Sequence, residues 1–126
     1  MNLTEQYEGY QATKQKAAHY CSYQERTIAE VREKLKAWGI HAKTTADSLV
    51  QALQKEGFLD EQRYVAAFVR AKFLTKKWGK CKIRYELMKK ELSPALIQQE
   101  LDLIEEPDYL STMQHLVLQK KKALTT

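Results

Sequence analysis

Hydrophobic residues recur along this chain at the three- and four-residue spacing that is typical of amphipathic helices. The clearest stripe consists of Ile28, Val31, Leu35 and Trp38. Thr27 and Glu30 form a capping-box pattern at its start, and Gly39, a residue that can adopt the left-handed conformation of a helix end, follows it. The pattern therefore predicts a helix that begins after Thr27 and ends at Gly39.

Similar patterns predict six further helices. They run from Glu5 to about His19, from a cap within Thr44–Asp47 to Gly57, from a cap at Asp60 to Lys76, through Ile83–Met88, from a Ser93–Pro94 cap to Leu101, and from Pro107 onward. The apolar stripe predicted for the helix after Asp60 consists of Tyr64, Ala67, Phe68, Ala71 and Leu74. With only four glycines and two prolines, the chain lacks the turn residues of a β-sandwich or barrel, so we predict an all-α fold.

The predicted helices repeat along the chain. The corresponding positions are Val31–Leu35 and Ile83–Leu87, which lie 52 residues apart, Leu53 and Leu101, and Tyr64 and Tyr109. Such periods suit a three-helix unit that buries part of its apolar stripe against the next unit. We therefore predict tandem three-helix repeats, two units plus the first helix of a third, in an elongated molecule. The predicted boundaries are an N-terminal segment 1–15, a first repeat 16–59, a second repeat 60–106 and an incomplete third repeat 107–126.

The length of 126 residues allows one small domain or a short array of units and excludes a large multi-domain enzyme. No stretch approaches the roughly 18 consecutive apolar residues of a membrane span, and Met1 to Tyr10 lacks the pattern of a secretory signal. We therefore expect a soluble, cytoplasmic protein. Its two cysteines, Cys21 and Cys81, are too few for a disulfide framework or a thiolate zinc site, and we expect both to be small buried side chains.

Charge is distributed unevenly along the chain, whose net charge is +5. Eight basic residues and one acidic residue lie between Lys72 and Lys90, whereas six acidic and no basic residues lie between Glu91 and Asp108. A basic surface of this kind favours an anionic partner, although a solvated face that keeps the protein soluble is a comparable explanation. The candidate binding residues are Arg32, Lys36, Lys72, Lys76, Lys77, Lys80, Lys82, Arg84 and Lys89.

Three aromatic residues lie near these basic positions in the sequence. They are Tyr23, Trp78 and Tyr85. Aromatic rings beside basic residues can stack on unpaired bases. Packing in the core is the commoner role, particularly for Trp38 and Trp78, which precede glycines at helix boundaries.

Residues for enzyme chemistry are missing from the sequence. His19, His41 and His115 share no spacing, and the chain has no Gly-rich phosphate loop, no catalytic constellation and no calcium-loop pattern. We therefore expect no reaction, no metal and no cofactor. A binding module and a structural adaptor both remain, and steep salt dependence of binding would favour the binding module.

Three separated segments carry a family resemblance. They are Arg26–Leu35, Gly57–Tyr64 and Trp78–Leu87. Their order and the gaps between them are similar to those of the RecX family of bacterial regulatory proteins, which the chain resembles from about Lys16 to Leu110. The family is built from tandem three-helix repeats, so the resemblance implies the same fold as the internal repeat.

The resemblance implies a negative regulator of the RecA recombinase, in DNA repair, recombination and the SOS response. Such a regulator lies in the groove of the RecA filament on single-stranded DNA and blocks filament extension and ATP-dependent activities, without a cofactor. The basic residues of the second unit, with Arg32 and Lys36, would then face DNA phosphate or an acidic RecA surface. We expect a monomer. The chain departs from the family pattern where its third unit stops after one helix at Thr126.

A second hypothesis is a helix-turn-helix protein whose third helix in each unit enters the major groove of duplex DNA. The candidate reading helix of the first unit, Asp47–Lys55, offers Gln51, Gln54 and Lys55 as residues that contact bases. The corresponding segment of the second unit, Leu96–Asp102, is acidic. The regulator is therefore the preferred hypothesis.

Overall fold

The computed structural model describes residues 2–104, and all regular structure in this range is helical. Its α-helices are α1 Leu3–Tyr23, α2 Ile28–Ala37, α3 Lys43–Lys55, α4 Glu61–Arg70, α5 Lys80–Met88 and α6 Pro94–Asp102. A π-helical segment, Ala71–Thr75, continues α4. No helix among the described residues is both long and apolar enough to cross a membrane. The predicted all-α fold is confirmed, and the helix predicted from Pro107 lies outside the described residues.

The chain forms two compact units, one ending at Tyr64 and the other beginning at Val65. In the first unit, helices α1, α2 and α3 contact one another in pairs. Its buried cluster consists of Ala17, Cys21, Val31, Leu35, Ala46, Leu49, Val50, Leu53 and Leu59. In the second unit, α5 contacts both α6 and the π-helical segment. Its buried hydrophobic residues are Val65, Val69, Phe73, Ile83, Leu87, Leu92, Ile97 and Leu101.

Buried positions reveal the internal repeat in more detail. On the first and third helices of each unit the equivalent buried residues lie 48 positions apart, and on the middle helices 52 apart. The pairs are Ala17 and Val65, Cys21 and Val69, Leu49 and Ile97, Leu53 and Leu101, Val31 and Ile83, and Leu35 and Leu87. The four additional residues of the second unit lie where the π-helical segment extends α4. The second copy therefore has four more residues between its first and middle helices, and four fewer between its middle and third helices, than the first copy.

The ends of α2 follow the predicted local rules. The Glu30 N–H donates to Thr27 Oγ1 (3.1 Å), and the Thr27 N–H donates to Glu30 Oε1 (3.3 Å), which completes the capping box. The other end of α2 is closed by Gly39, whose φ is +91°, and by a hydrogen bond that the Ile40 N–H donates to the Leu35 carbonyl (2.8 Å). Thr27 is fully enclosed by the fold, and this cap therefore fixes where α2 begins.

The start of α3 differs from the prediction. Its N-cap is Ala42, which makes no side-chain capping bond, so the proposed cap within Thr44–Asp47 is wrong. The Asp47 carboxylate instead forms an ion pair with the Arg32 guanidinium, with 2.7 Å between Oδ1 and Nη2. The end of α1 also differs, because the helix continues one turn beyond His19, where Cys21 packs in the core.

The buried side of α4 also differs from the prediction. Ala67, Ala71 and Leu74 are exposed, and Tyr64 and Phe68 are only half-buried. The core residues of this helix and its π-helical extension are instead Val65, Val69 and Phe73. Apolar residues occupy several sides of α4, so the spacing permits more than one stripe, and packing within the second unit selects this one.

The two cysteines occupy different environments, which corrects the expectation that both are buried. Cys21 lies in the core at 5% exposure, whereas Cys81 is exposed in the first turn of α5. Cys81 lies two residues before the buried Ile83, on the opposite side of the helix.

We expect an exposed-thiol reagent such as Ellman's reagent to modify only Cys81 in the native protein and both cysteines in denaturant. Burial raises the pKa of the Cys21 thiol and so disfavours the reactive thiolate. The measurement is the absorbance released per mole of native and unfolded protein. Substituting Cys81→Ser should remove the native reaction, and a native reaction that persists in this variant would contradict the burial of Cys21.

Candidate functional site

Helix α5 carries several of the basic residues predicted for the second unit. Gly79 precedes the helix as its N-cap, and Ile83 and Leu87 point into the core at 0% exposure. The remaining positions of α5 therefore face outward or lie at the edges of the packed side. Among them are Lys80, Lys82, Arg84 and Tyr85, and Lys89 follows the helix as its C-cap.

A tryptophan cluster lies at the start of α5, and we define it as Phe68, Lys72, Trp78 and Lys82. The Phe68 and Trp78 rings pack edge to face, with centroids 6.3 Å apart and planes at 68°. The ammonium Nζ atoms of Lys72 and Lys82 lie 4.8 Å and 4.3 Å from the Trp78 ring centroid. Both distances fall in the range of cation–π attraction. The half-buried indole therefore holds two positive charges close together at the surface.

The backbone after α4 places Trp78 in this cluster. In the π-helical segment the Lys76 N–H donates to the Ala71 carbonyl (3.3 Å), and the Trp78 N–H then donates to the Lys72 carbonyl (2.9 Å). Between them, Lys77 has φ +59°, a left-handed conformation that is uncommon for residues other than glycine. π-Helical turns occur frequently at functional sites. Here the wider turn and the left-handed residue return the chain so that Trp78 lies beside Phe68.

Four of the predicted basic residues in the second unit have neither an ion pair nor a side-chain hydrogen bond with residues 2–104. They are Lys72, Lys76, Lys77 and Lys82. Because no described carboxylate neutralises them, their charges add to the positive potential at the surface of this unit. The described surface of this unit therefore carries an excess of positive charge.

Cations of the first unit are paired more often. Their ion pairs are Lys14 with Glu56 (2.7 Å), Arg26 with Glu30 (3.9 Å), Arg32 with Asp47 (2.7 Å) and Arg63 with Glu25 (2.6 Å). Of the two residues predicted here as binding residues, Arg32 is thus engaged by Asp47, and Lys36 is exposed without an ion pair in the described chain. The first unit consequently offers fewer unpaired cations than the second.

Two other predicted residues on α5 have polar partners within the unit. The Arg84 guanidinium donates to the Gln98 side-chain oxygen, and the Gln98 amide donates to Asp102 Oδ1 (2.6 Å). Lys89 Nζ lies 3.1 Å from Glu86 Oε2. Arg84 is therefore held toward α6, whereas Lys89 belongs to an exposed ion pair, which contributes little stability and is easily exchanged.

The three aromatic residues considered for base stacking differ in their surroundings. Trp78 is half-buried against Phe68, whereas Tyr85 is 63% exposed and has Lys89 Nζ at 4.8 Å from its ring centroid. Tyr23, at 81%, is more exposed still, and no cation of the described chain lies over its ring. Only Tyr85 thus combines high exposure with an adjacent positive charge.

Two features of the site were missed in the sequence. Phe68 was assigned to a core stripe, but it supports Trp78 and lies 5.4 Å from Lys72 Nζ. The i,i+4 spacing of Phe68 and Lys72 is the signal that indicates this contact. The second feature is a related cluster in the first unit, where Arg26 lies 3.8 Å from the Tyr20 ring centroid.

Within residues 2–104 no group of three His, Cys, Asp or Glu side chains is arranged to hold a metal ion.

Comparison with protein families gives two matches that together span more than half of the chain. The first three-helix domain of RecX matches residues 14–51, and the second three-helix domain of RecX matches residues 60–101. The two matched ranges contain α2, the second part of α1 and most of α3 in the first unit, and the tryptophan cluster with α5 in the second.

Individual relatives agree with the family match. The chain is 33% identical to a regulatory protein RecX of Lactobacillus delbrueckii subsp. bulgaricus over 101 residues, which are 80% of this chain and 37% of the relative. It is 26% identical to a regulatory protein RecX of Clostridium acetobutylicum over 115 residues, 90% of this chain and 52% of the relative. The chain thus spans between about a third and a half of these relatives.

Solved structures share the fold. A crystal structure of RecX from Lactobacillus salivarius superimposes with a TM-score of 0.86 at 22% identity, over 94% of this chain and 77% of that one. A crystal structure of another regulatory protein RecX gives a TM-score of 0.76, also at 22% identity, over 94% and 62% of the two chains. At this identity the likeness establishes the arrangement of helices.

Proposed function

Because the chain belongs to the RecX family of regulatory proteins, we propose that it regulates the RecA recombinase. In this proposal it binds the RecA filament on single-stranded DNA and blocks the recombination and ATPase activities of the filament. The protein acts by occupying a binding surface, so it needs no reaction, metal or cofactor of its own.

The tryptophan cluster and its neighbouring lysines are the observation that carries this proposal. They supply a basic surface in which Lys72, Lys76, Lys77 and Lys82 have no ion pair among residues 2–104. A nucleoprotein filament offers DNA phosphates as partners for such a surface, and each neutralised phosphate releases condensed counterions. Acidic side chains of RecA carry the same negative charge as DNA phosphates and are a second class of partner for this surface.

The way in which the fold positions the basic side chains also supports the proposal. The basic side chains lie on α5 and on the turn that leads into it, and α5 is anchored by two fully buried residues, Ile83 and Leu87. A surface on a rigid helix loses little conformational freedom when it binds. The charges of Lys72 and Lys82 are additionally held near one indole ring before any partner is present.

We expect the protein to suppress ATP hydrolysis by RecA on single-stranded DNA, while hydrolysing no ATP itself. The measurement is the steady-state rate of RecA in the presence of single-stranded DNA as the protein is titrated. A heat-denatured sample of the same protein is the control. A RecA rate that remains unchanged at many-fold excess of the folded protein would contradict the proposal.

The duplex-reading hypothesis is less well supported by the described residues. Gln51, Gln54 and Lys55 are exposed on α3, as a reading helix requires. In the second unit, however, Gln98 of α6 is bonded to Arg84 and Asp102. Tight binding of a defined duplex sequence, together with no effect on RecA, would favour this hypothesis over the regulator.

A further inference from the structure

Tyr85 is held at the surface of the basic unit without a polar partner among residues 2–104. Its side chain is 63% exposed, whereas Ile83 and Leu87, two residues away on either side, are fully buried. Because the core fixes α5 through these two residues, the Tyr85 ring is presented outward from a rigid helix. An exposed aromatic ring with this support loses little freedom when another flat ring packs against it.

Two lysines flank the Tyr85 ring along α5. Lys82 precedes it by three residues and Lys89 follows it by four, so both lie on the same side of the helix as Tyr85. Seven residues of helix place these two positions about 10 Å apart along the axis. The Lys89 ammonium is 4.8 Å from the Tyr85 ring centroid, and the Lys82 ammonium lies over Trp78. Tyr85 thus lies between two lysines along this side of the helix, and the Lys89 ammonium lies over its ring.

Neither of the other exposed or half-exposed candidates has this arrangement. Trp78 packs edge to face with Phe68 and is half-buried, so less of its ring is open to a partner than that of Tyr85. Tyr23 is more exposed than Tyr85 but has no cation of the described chain over its ring. Exposure alone therefore does not distinguish Tyr85, whereas exposure combined with flanking cations does.

We propose that Tyr85 stacks on an unpaired base of single-stranded nucleic acid, while Lys82 and Lys89 contact the phosphates on either side. An aromatic ring beside cations is the combination by which proteins bind single strands. In a duplex both faces of each base are already stacked, so Tyr85 makes this surface prefer single strands. The Lys89–Glu86 ion pair is exposed and is readily replaced by a phosphate contact.

This inference rests on the proposed function, because it names the form of nucleic acid that the same basic surface contacts. It also separates two contributions to binding at that surface. The lysines contribute through counterion release, which depends steeply on salt. Stacking on Tyr85 removes no charge and should contribute nearly equally at low and high salt.

The test uses the full chain without RecA, and the probes are a fluorescein-labelled oligothymidylate and a hairpin duplex of equal nucleotide number. In fluorescence anisotropy titrations, Tyr85→Ala should weaken binding of the oligothymidylate about tenfold, within the range of stacking losses on alanine substitution. Binding of the duplex and the salt slope for the single strand should remain as in the wild type. Tyr85→Phe, which keeps the ring, should bind the oligothymidylate like the wild type.

The matched control is Tyr23→Ala, which removes a more exposed tyrosine from the same chain and should leave both affinities unchanged. Three results would each overturn the inference. They are unchanged oligothymidylate binding by Tyr85→Ala, an equal loss of affinity for single strand and duplex in this variant, and no binding of the wild type to the oligothymidylate at low salt. If Tyr85→Ala shows the expected loss while the wild type leaves RecA unaffected, the proposed function alone fails. If the wild type inhibits RecA and Tyr85→Ala binds normally, the stacking inference alone fails.

Discussion

Replacing Leu35 or Leu87 by alanine should lower the free energy of unfolding by about 2–5 kcal/mol in each case. Both side chains are fully buried, and they occupy equivalent places on the middle helices of the two units. Alanine removes apolar contacts and leaves a cavity that the surrounding helices fill only in part. The measurement is equilibrium unfolding in urea, followed by the helical circular dichroism signal.

Leu74→Ala is the matched control for these two substitutions. The spacing of apolar residues placed Leu74 in the core, but its side chain is 53% exposed in the structure. Its truncation should therefore change the free energy of unfolding by less than about 1 kcal/mol. A loss at Leu74 as large as that at Leu87 would show that the helix after Asp60 buries the stripe that contains Leu74.

The sequence predicted most helix boundaries because local interactions determine them. The Thr27 capping box, the glycine after α2 and the Ser93–Pro94 start of α6 all act within one turn of the chain. The Arg63 N–H likewise donates to Asp60 Oδ1 (3.0 Å), as the predicted cap requires. Such signals involve neighbouring residues only, so they are readable without knowledge of the fold.

The buried side of α4 was harder to predict for a physical reason. Within Tyr64–Val69 almost every residue is apolar, so more than one side of the helix satisfies the helical period. The π-helical turn at Ala71–Thr75 then widens the winding and changes which later residues align with the core. Packing within the second unit, rather than spacing along α4, selects Val65, Val69 and Phe73.

The candidate site was predicted as a set of basic residues, and the structure divides that set by its partners. The Arg32–Asp47 ion pair joins residues on two helices, and the Arg84–Gln98 contact joins α5 to α6. Pairings of this kind depend on how helices pack and leave no periodic signal in the sequence. The same is true of the contact between Phe68 and Trp78, which follows from the left-handed turn at Lys77.

Reversing two charges of the tryptophan cluster, by Lys72→Glu with Lys82→Glu, should weaken binding more than Tyr85→Ala does. We expect affinity for single-stranded DNA and for the RecA filament to fall about a hundredfold at low salt, because two charge-assisted contacts to phosphate are lost. The slope of log affinity against log salt on single-stranded DNA should decrease by about 1.4, or about 0.7 per contact. Inhibition of RecA ATP hydrolysis should require correspondingly more protein.

The matched control is Lys43→Glu with Lys55→Glu, at the two ends of α3. Both double variants change the net charge from +5 to +1, so a difference between them reports the position of the charges rather than their sum. The α3 variant should bind single strands and inhibit RecA nearly as the wild type does, and both variants should retain the wild-type circular dichroism spectrum. Equal losses in the two variants would mean that only net charge matters and that the second unit holds no localised surface. A loss of binding confined to the α3 variant would instead place the DNA contact on α3, which carries Gln51, Gln54 and Lys55. The duplex-reading hypothesis requires this result, because a reading helix contacts DNA through its own exposed side chains.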